Sequence, residues 1–384
     1  MPARGPRTTM PDRPAPPSLP AYDLALPPTI RFGPGRAEEI AGVVAGLGSV
    51  AWIVGGRRSL VASGLLARIE ADCAAAGLAA RLVATTDGEP TVDHVAAALA
   101  ALPVAGRSEA VIVAVGGGAA IDLAKAVAAL ATNLPPGTAD LDTAVVDHLE
   151  GVGRGLAIRV PPLPVVAVPT TAGTGAEATR NAVISCPRRG FKKSLRSPLL
   201  VPRAAIVDPL LTVSCDRGTT IASGLDCITQ LVESFVCRFA RPVPRALALE
   251  ALPRALDALP RAVEAADIDA RSAMAHAALL SGIALTNSGL GMAHGVAAAL
   301  GIECGTPHGV ACATLLPIAV RANLAAAERE FALLERAVAT DAPAADRTAA
   351  AAFATRIEAL CERLAVPRRL RELGLATLGA GARQ

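Results

Sequence analysis

Short apolar runs alternate with alanine-rich helical segments between residues 49 and 130. The runs at 50–54, 81–84 and 110–115 are continuous rather than alternating, which is typical of strands buried on both faces of a sheet. Segments with the length of helices separate them, the second opened by Asp93. This order of strands and helices predicts a parallel, Rossmann-like sheet with crossover helices, as in a doubly wound α/β domain.

The pattern changes after residue 208. Residues 135–164 lose any period, and residues 165–168 form one further apolar run. Beyond Asp208 the chain has helical character almost to its end. We therefore predict an α/β nucleotide-binding domain at 28–208 and an all-helical metal and substrate domain at 209–384.

Two segments raise the question of targeting or membrane insertion. Residues 1–27 contain several prolines and arginines but lack the apolar core of a secretory signal, so we predict a disordered extension. The stretch 272–302 contains no Asp, Glu, Lys or Arg and is long enough to span a membrane. However, Asn287, His294 and five glycines divide it, so the sequence favours two buried core helices and no membrane partner.

Composition narrows the class of protein. Of the 384 residues, 52% are hydrophobic, which is enough to fill two cores. The 37 basic and 34 acidic residues are spread along the chain and give a net charge of +3, so no nucleic-acid partner is expected. The eight cysteines form no C-x-x-C pair, which favours reduced thiols in a cytoplasmic protein.

Three consecutive glycines, Gly116, Gly117 and Gly118, follow the most apolar predicted strand and precede a helix. Bare backbone at a helix N-terminus lets amides approach a pyrophosphate, so this turn predicts a dinucleotide site. The alternative is a βα turn that is rich in glycine for steric reasons alone. A second Thr/Gly loop at 169–177 follows the next predicted strand, where ligands gather at the carboxyl ends of a sheet.

Besides Gly116 and Gly117, six further residues are predicted to bind the cofactor. They are Gly118, Asp122, Lys125, Thr170, Thr171 and Thr174. No acidic residue stands after the first predicted strand to bind the adenosine ribose. Arg57 and Arg58 stand there instead, and an arginine suits the 2′-phosphate of NADP, so both NAD and NADP stay open.

Candidate metal ligands lie in the helical half. His294 and His308 fall in an apolar, charge-poor region, where each needs a partner that a shared divalent metal would provide. Asp226, Gln230 and Glu233 are spaced i, i+4 and i+7 and therefore share one face of a helix. The alternative is that Asp226 forms a local contact while Gln230 hydrogen-bonds a neighbouring loop.

Six motifs, in this order, resemble those of the iron-containing alcohol dehydrogenase family. They are VGGGAAIDLAKAVA (115–128), VPTTAGTGAEAT (168–179), KKSLRSPLLVPRAAIVDP (192–209), ASGLDCITQLVES (222–234), NSGLGMAHGVAAALG (287–301) and TPHGVACATLLP (306–317). The resemblance implies the dehydroquinate synthase-like fold of that family. Its α/β cofactor domain and helical domain would enclose a cleft that holds nicotinamide and metal.

The resemblance also implies a ligand set. Carried over by position, Asp226, His294 and His308 match three metal ligands, and we expect all three to be catalytic. Gln230 stands where the family has a fourth ligand, a histidine, so these four residues are predicted to surround Fe²⁺ or Zn²⁺. An amide oxygen is a weaker donor than imidazole, so the metal could be loosely held, different, or absent. In addition, Ala298 replaces a histidine thought to assist proton transfer.

The implied activity is an NAD(P)-dependent oxidoreductase. It would interconvert a small alcohol and its aldehyde or ketone, with the metal polarising the substrate oxygen. Three alternatives stay open: a metal-independent reductase resembling maleylacetate reductases, a lyase resembling dehydroquinate synthase, and a binding protein that has lost its activity. A homodimer is the expected default for such an enzyme.

Overall fold

The computed structural model describes residue 19 and residues 21–103, 106–265 and 267–373. Most of the extension predicted at 1–27 lies outside the described residues. Residues 21–27 are described and form neither helix nor strand. The disorder of this extension therefore stays a prediction.

The strands of the described chain form two sheets. They are β1 (Thr29–Phe32), β2 (Val50–Gly56), β3 (Ala79–Thr86), β4 (Ala110–Gly116), β5 (Val165–Pro169), β6 (Asn181–Cys186), β7 (Phe191–Arg196) and β8 (Ala204–Val207). The larger sheet is parallel throughout, with strand order β1-β8-β5-β4-β2-β3. The other is the antiparallel hairpin of β6 and β7. The predicted parallel sheet is confirmed, and β2, β3, β4 and β5 coincide with the four apolar runs.

Helices cover both faces of the sheet and make up most of the C-terminal half. They are α1 (Ile40–Ala45), α2 (Leu65–Ala75), α3 (Val92–Ala101), α4 (Gly118–Asn133), α5 (Leu141–Asp147), α6 (Arg217–Val236), α7 (Pro242–Glu264), α8 (Ile268–Asn287), α9 (Met292–Cys304), α10 (His308–Asn323), α11 (Glu328–Val338) and α12 (Asp346–Arg363). Within the described residues, the region after 208 contains no strand, so the predicted all-helical character is confirmed. The domain limits themselves stay a prediction.

Strand β4 explains why the sheet is buried on both faces. Ile112 and Ala114 point into a core formed with α3 and α4, whereas Val111 and Val113 point into a second core formed with α1 and α2. All seven residues of the strand are buried. A strand that packs on both faces needs a continuous apolar run, and this is the pattern that made β4 predictable.

The strand order creates a crevice between β2 and β4. The chain runs from β2 outward to β3 and then returns to place β4 on the opposite side of β2. At such a reversal the crossover helices diverge, and ligands of open α/β sheets bind outside the carboxyl ends of the strands there. Gly55-Gly56 ends β2 and Gly116 ends β4, so two glycine-containing turns border this crevice.

Helix α6 lies in the centre of the helical region. Its apolar residues Leu225, Ile228, Leu231 and Phe235 belong to a core shared with α7, α8, α10 and α12. The same helix carries buried polar groups on another face. Because each buried polar group costs free energy unless it has a partner, that face must meet polar groups from other elements.

The charge-poor stretch 272–302 forms parts of α8 and α9. The two helices meet at an angle of 99° across a break of a few residues. Among the described residues, no single helix combines the length and hydropathy of a membrane span, and α8 and α9 satisfy that test only as this bent pair. Most of α8 is packed inside the protein, as predicted for a core helix. The prediction of a second buried helix is wrong for α9, in which only Ala293, Ala297 and Leu300 are buried.

Candidate cofactor and metal site

The glycine turn, residues 116–118, joins β4 to α4. Gly116 has φ of +150°, a conformation that L side chains rarely adopt, and a Cβ there would lie 2.7 Å from the Cβ of Ala120. Gly117 is the N-cap of α4, and no side chain caps the helix. The first amides of a 16-residue helix are therefore left for a ligand, and the helix dipole favours a negatively charged one.

The threonine loop, residues 170–175, packs on the glycine turn. The Thr170 amide donates to the carbonyl oxygen of Gly116 at 3.0 Å. A Cβ on Gly118 would lie 2.7 Å from Thr174, and one on Gly117 would lie 3.3 Å from the hydroxyl of Thr171. The structure thus brings together all three predicted threonines and the glycine turn. Thr170 is itself buried, whereas Thr171 and Thr174 are half-buried.

The side chains of Asp122 and Lys125 bind other residues of the protein. The Lys125 ammonium is buried and donates to the Ala176 carbonyl at 2.9 Å and to the Thr179 hydroxyl at 2.7 Å. Asp122 accepts the Val183 amide at 3.0 Å and lies 3.4 Å from the Lys125 ammonium. Both side chains therefore hold the segment that follows the threonine loop, and within the described residues Asp122 Oδ1 accepts no hydrogen bond.

The threonine loop also touches the helical region. A Cβ on Gly173 would lie 2.6 Å from the Cβ of Ser223 on α6. A Cβ on Gly282 of α8 would lie 2.2 Å from the carbonyl oxygen of Gly175. The loop is thus enclosed between the glycine turn and α6, one helical turn before Asp226.

Four potential metal ligands converge beside α6. They are Asp226 on α6, His294 on α9, and His308 and Cys312 on α10, and one ligand atom from each lies within 4.8 Å of every other. Asp226 Oδ1 is 3.2 Å from His294 Nε2 and 3.7 Å from His308 Nε2. The three predicted ligands Asp226, His294 and His308 are therefore brought to one place.

Glu233 orients the ring of His294. Its carboxylate lies 2.7 Å from His294 Nδ1 and also accepts the amides of Gly291 at 2.9 Å and Ala293 at 2.7 Å. A carboxylate that accepts from its surroundings requires a proton on Nδ1, which leaves the Nε2 lone pair facing Asp226. Two acceptors 3.2 Å apart require a cation between them, either a proton or a metal ion.

The pKa shifts describe the same attraction for positive charge. Burial opposes ionisation of Asp226, but the hydrogen bond from His294 and the charge of His308 hold the pKa of Asp226 below its usual value. Burial alone would lower the pKa of His294, yet Cys312, Asp226 and Glu233 raise it well above its usual value. Both shifts favour positive charge between His294 and Asp226.

Gln230 has a hydrogen-bond partner at each end of its side-chain amide. Its amide nitrogen donates to Asp226 Oδ2 at 3.2 Å, and its carbonyl oxygen accepts from the Ser281 hydroxyl at 2.7 Å. This orientation is required because an ionised carboxylate can only accept. The prediction placed Gln230 among the metal ligands, whereas here its amide steadies Asp226. The contact to Ser281 agrees with the alternative that Gln230 hydrogen-bonds a neighbouring element.

Cys312 is the residue that sequence reasoning missed. It follows His308 by four residues and so shares its face of α10, with Sγ 3.6 Å from His308 Nε2. That spacing was the available signal. The remaining histidines lie elsewhere: His94 belongs to the N-terminal cap of α3, His148 to the end of α5, and His276 pairs with Glu250 at the surface.

Similarity to known proteins covers both halves of the chain. A family model described as iron-containing alcohol dehydrogenase matches residues 27–209, and one described as the C-terminal part of that family matches residues 220–379. The probable alcohol dehydrogenase EutG of Escherichia coli K12 is 31% identical over 367 residues, which are 94% of this chain and 86% of that protein. Alcohol dehydrogenase 4 of Saccharomyces cerevisiae S288c is 30% identical over 353 residues, or 92% and 88%.

Solved structures agree with the sequence matches. A 1,3-propanediol oxidoreductase has a TM-score of 0.82 at 30% identity, covering 92% of this chain and 90% of its own. Sulfoacetaldehyde reductase from Bifidobacterium kashiwanohense, solved in complex with NAD⁺, has a TM-score of 0.78 at 29% identity, covering 93% and 90%. The chain therefore belongs to the iron-containing alcohol dehydrogenase family and is an oxidoreductase that interconverts alcohols and aldehydes.

Proposed function

We propose that this enzyme acts on a small alcohol and its aldehyde or ketone, with NAD or NADP at the glycine turn and Fe²⁺ or Zn²⁺ held by Asp226, His294 and His308. One observation carries the metal assignment. A buried carboxylate and an imidazole face each other at 3.2 Å through acceptor atoms, with a second imidazole beside them. Such a set of donors suits a divalent cation.

When bound, the nicotinamide would supply hydride transfer to or from the substrate carbon, and a metal ion held by Asp226, His294 and His308 would supply polarisation of the substrate oxygen. The protein's own residues position these groups. The glycine turn and the helix dipole of α4 favour the pyrophosphate, and the threonine loop separates it from α6. Glu233 fixes the orientation of the His294 ring, which presents Nε2 towards Asp226.

We assign Asp122 and Lys125 a positioning role. The Lys125 ammonium holds the chain just after the threonine loop, through Ala176 and Thr179. Asp122 does the same through Val183. Both residues act on the cofactor through the loop and not by direct contact.

NADP is the finer cofactor proposal. Arg57 and Arg58 follow β2 at the crevice and are exposed, and Arg57 pairs with Asp87 at 2.9 Å in the turn after β3. An exposed arginine next to the end of β2 suits a 2′-phosphate. Replacement of Arg58 by Ala should therefore raise KM for NADPH and leave KM for NADH nearly unchanged.

The proton route is proposed to run through water. Ala298 is half-buried on α9, one turn after His294, and has no side chain that could exchange a proton. A cytoplasmic location and a homodimeric state stay predictions.

The test is a panel of small alcohols and aldehydes with NAD(H) and NADP(H), run with added Fe²⁺, Zn²⁺ or a chelator. We expect net turnover of the nicotinamide, its loss after metal removal, and its recovery when a divalent ion is returned. His294→Ala should abolish turnover and leave cofactor binding nearly unchanged. Full turnover after complete metal removal would contradict the proposal and favour a metal-independent reductase.

A further inference from the structure

We propose that the thiolate of Cys312 is the fourth metal ligand and takes the place of the imidazole that position 230 lacks. The site would then be an Asp–His–His–Cys set that prefers Zn²⁺ to Fe²⁺. This inference rests on the metal site proposed above and adds a ligand and a metal preference to it.

Distances between the potential ligand atoms fit a tetrahedral ion. With the bond lengths usual for zinc, tetrahedral ligand atoms lie roughly 3.4 Å apart for a nitrogen and an oxygen and roughly 3.6 Å apart for a sulfur and a nitrogen. Asp226 Oδ1 is 3.2 Å from His294 Nε2 and 3.7 Å from His308 Nε2. Cys312 Sγ is 3.6 Å from His308 Nε2. These three distances are close to those that such an ion requires, and each remaining pair of ligand atoms lies within 4.8 Å.

The helices hold this arrangement. His308 and Cys312 are four residues apart on α10, so one turn of helix presents an imidazole and a thiol on the same side. Gly309 brings the start of α10 against α6, since a Cβ there would lie 2.6 Å from the Ala222 carbonyl oxygen. Cys312 is fully buried, and its Sγ lies within 4.8 Å of a ligand atom from each of the other three residues.

Gln230 is prevented from filling the fourth position. Both ends of its amide have partners, Asp226 on one side and Ser281 on the other. Turning the carbonyl oxygen of Gln230 towards an ion would break its hydrogen bonds to Ser281 and Asp226. Buried polar groups that lose a partner cost free energy. A cysteine that already lies in the cluster avoids that cost.

Charge and ligand type both favour zinc. Asp226 and a Cys312 thiolate would place two negative charges directly on the two positive charges of the ion, in a buried place where an unpaired charge is costly, and the Glu233 carboxylate behind His294 adds further negative charge nearby. Mixed nitrogen and thiolate ligands in tetrahedral geometry are characteristic of zinc sites. Ligand sets made only of carboxylate and imidazole discriminate less against ferrous iron.

Cobalt substitution tests the ligand directly. Apo-protein titrated with Co²⁺ should show the intense visible bands of a tetrahedral ion together with a thiolate-to-cobalt charge-transfer band in the near ultraviolet. Cys312→Ser and Cys312→Ala should lose the charge-transfer band. Cys73→Ser replaces an equally buried thiol on α2 and should keep it.

Zinc affinity gives a second readout that does not depend on turnover. In competition with a chromophoric chelator, Cys312→Ser should weaken zinc binding by at least about 100-fold, because loss of partners beyond the direct ligands already costs about 10–100-fold. The double variant Gln230→His/Cys312→Ser should recover part of this affinity without the charge-transfer band.

The outcomes separate the two proposals. Tetrahedral cobalt bands without a thiolate band in the wild-type protein would overturn the role of Cys312 and leave the metal site intact. A band that persists in both Cys312 variants would overturn it as well. Failure of the folded wild-type protein to bind Co²⁺ or Zn²⁺ would overturn the proposed metal site itself.

Discussion

Glu233→Gln changes one charge and one hydrogen-bonding capacity at the candidate site, while the size of the side chain is kept. The Glu233 carboxylate accepts from His294 Nδ1, from Gly291 and from Ala293. A glutamine must place its NH₂ group at one of the two carboxylate oxygen positions. At the first it faces the Ala293 amide, and at the second it faces both the Gly291 amide and the His294 ring.

Each orientation has a calculable cost. Either one leaves a backbone amide opposite another donor, and the cost is about 1–3 kcal/mol for the buried Ala293 amide and smaller for the partly buried Gly291 amide. The second also lets His294 carry its proton on Nε2, which removes the lone pair that faces Asp226. Loss of a partner of this kind lowers metal affinity by about 10–100-fold, or about 1.4–2.8 kcal/mol.

The assay is a pair of measurements on the purified variant. Urea unfolding of the metal-free protein gives the change in the free energy of unfolding, and competition with a chelator gives the change in metal affinity. We expect both to fall in Glu233→Gln. A matched control is Glu250→Gln, since Glu250 also contacts a histidine, His276 at 3.0 Å, but at the surface.

The control should change stability by no more than about 0.5 kcal/mol and leave metal affinity unchanged. If Glu233→Gln bound metal as tightly as the wild-type protein, the idea that this carboxylate selects the His294 tautomer would be refuted. Equal losses in both variants would also refute it, because the effect would then not come from the buried site.

Three further predictions concern the cofactor half. Burial raises the pKa of Glu177 to about 7, so the folded state retains a proton that the unfolded state releases near pH 4.5. The contribution to stability is full below about pH 4.5 and is lost as the pH rises to about 7, by at most about 3 kcal/mol. Urea unfolding should show Glu177→Gln gaining stability relative to wild type over that interval; an unchanged difference between pH 5 and pH 8 would contradict this. Lys125→Met leaves Asp122, Ala176 and Thr179 without their buried partner and should cost about 3–5 kcal/mol by urea unfolding. The exposed Lys193→Met is its control, and equal effects would argue against the role of Lys125. Gly118→Ala introduces a Cβ 2.7 Å from Thr174 and should weaken cofactor binding roughly 10-fold by fluorescence titration, about 1.4 kcal/mol, whereas Gly137→Ala in a surface turn should not. Equal cofactor affinity in the Gly118 variant would show that the turn can adjust.

The sequence predicted the elements that have a clear local signal, such as a continuous apolar run or a glycine turn before a helix. β4 is buried on both faces and α4 follows a glycine turn, so both have local signals. The hairpin of β6 and β7 was not predicted, because neither strand is a continuous apolar run: β6 alternates between buried and half-buried residues, and β7 contains two lysines and an arginine. β1 and β8 have only four residues each and depend on pairing with strands far along the chain.

In the candidate site too, contacts between distant parts of the chain could not be predicted from the sequence. Asp226, His294 and His308 were identified from their positions in motifs. The orientation of Gln230 could not be, because its partner Ser281 lies 51 residues further along the chain on another helix. Cys312 resembled an ordinary core cysteine, and only folding brings its sulfur beside His308.

The contact between the threonine loop and α6 fixes the distance between the glycine turn and Asp226. Gly173 meets Ser223, and Gly175 meets Gly282, with no room for a methyl group at either place. Substitutions in this loop therefore cannot tune the span between the glycine turn and Asp226 by small steps. Enzymes with this loop packing would have to adapt to longer or bulkier alcohols by changing the side chains that border the crevice. The threonine loop itself would stay the same.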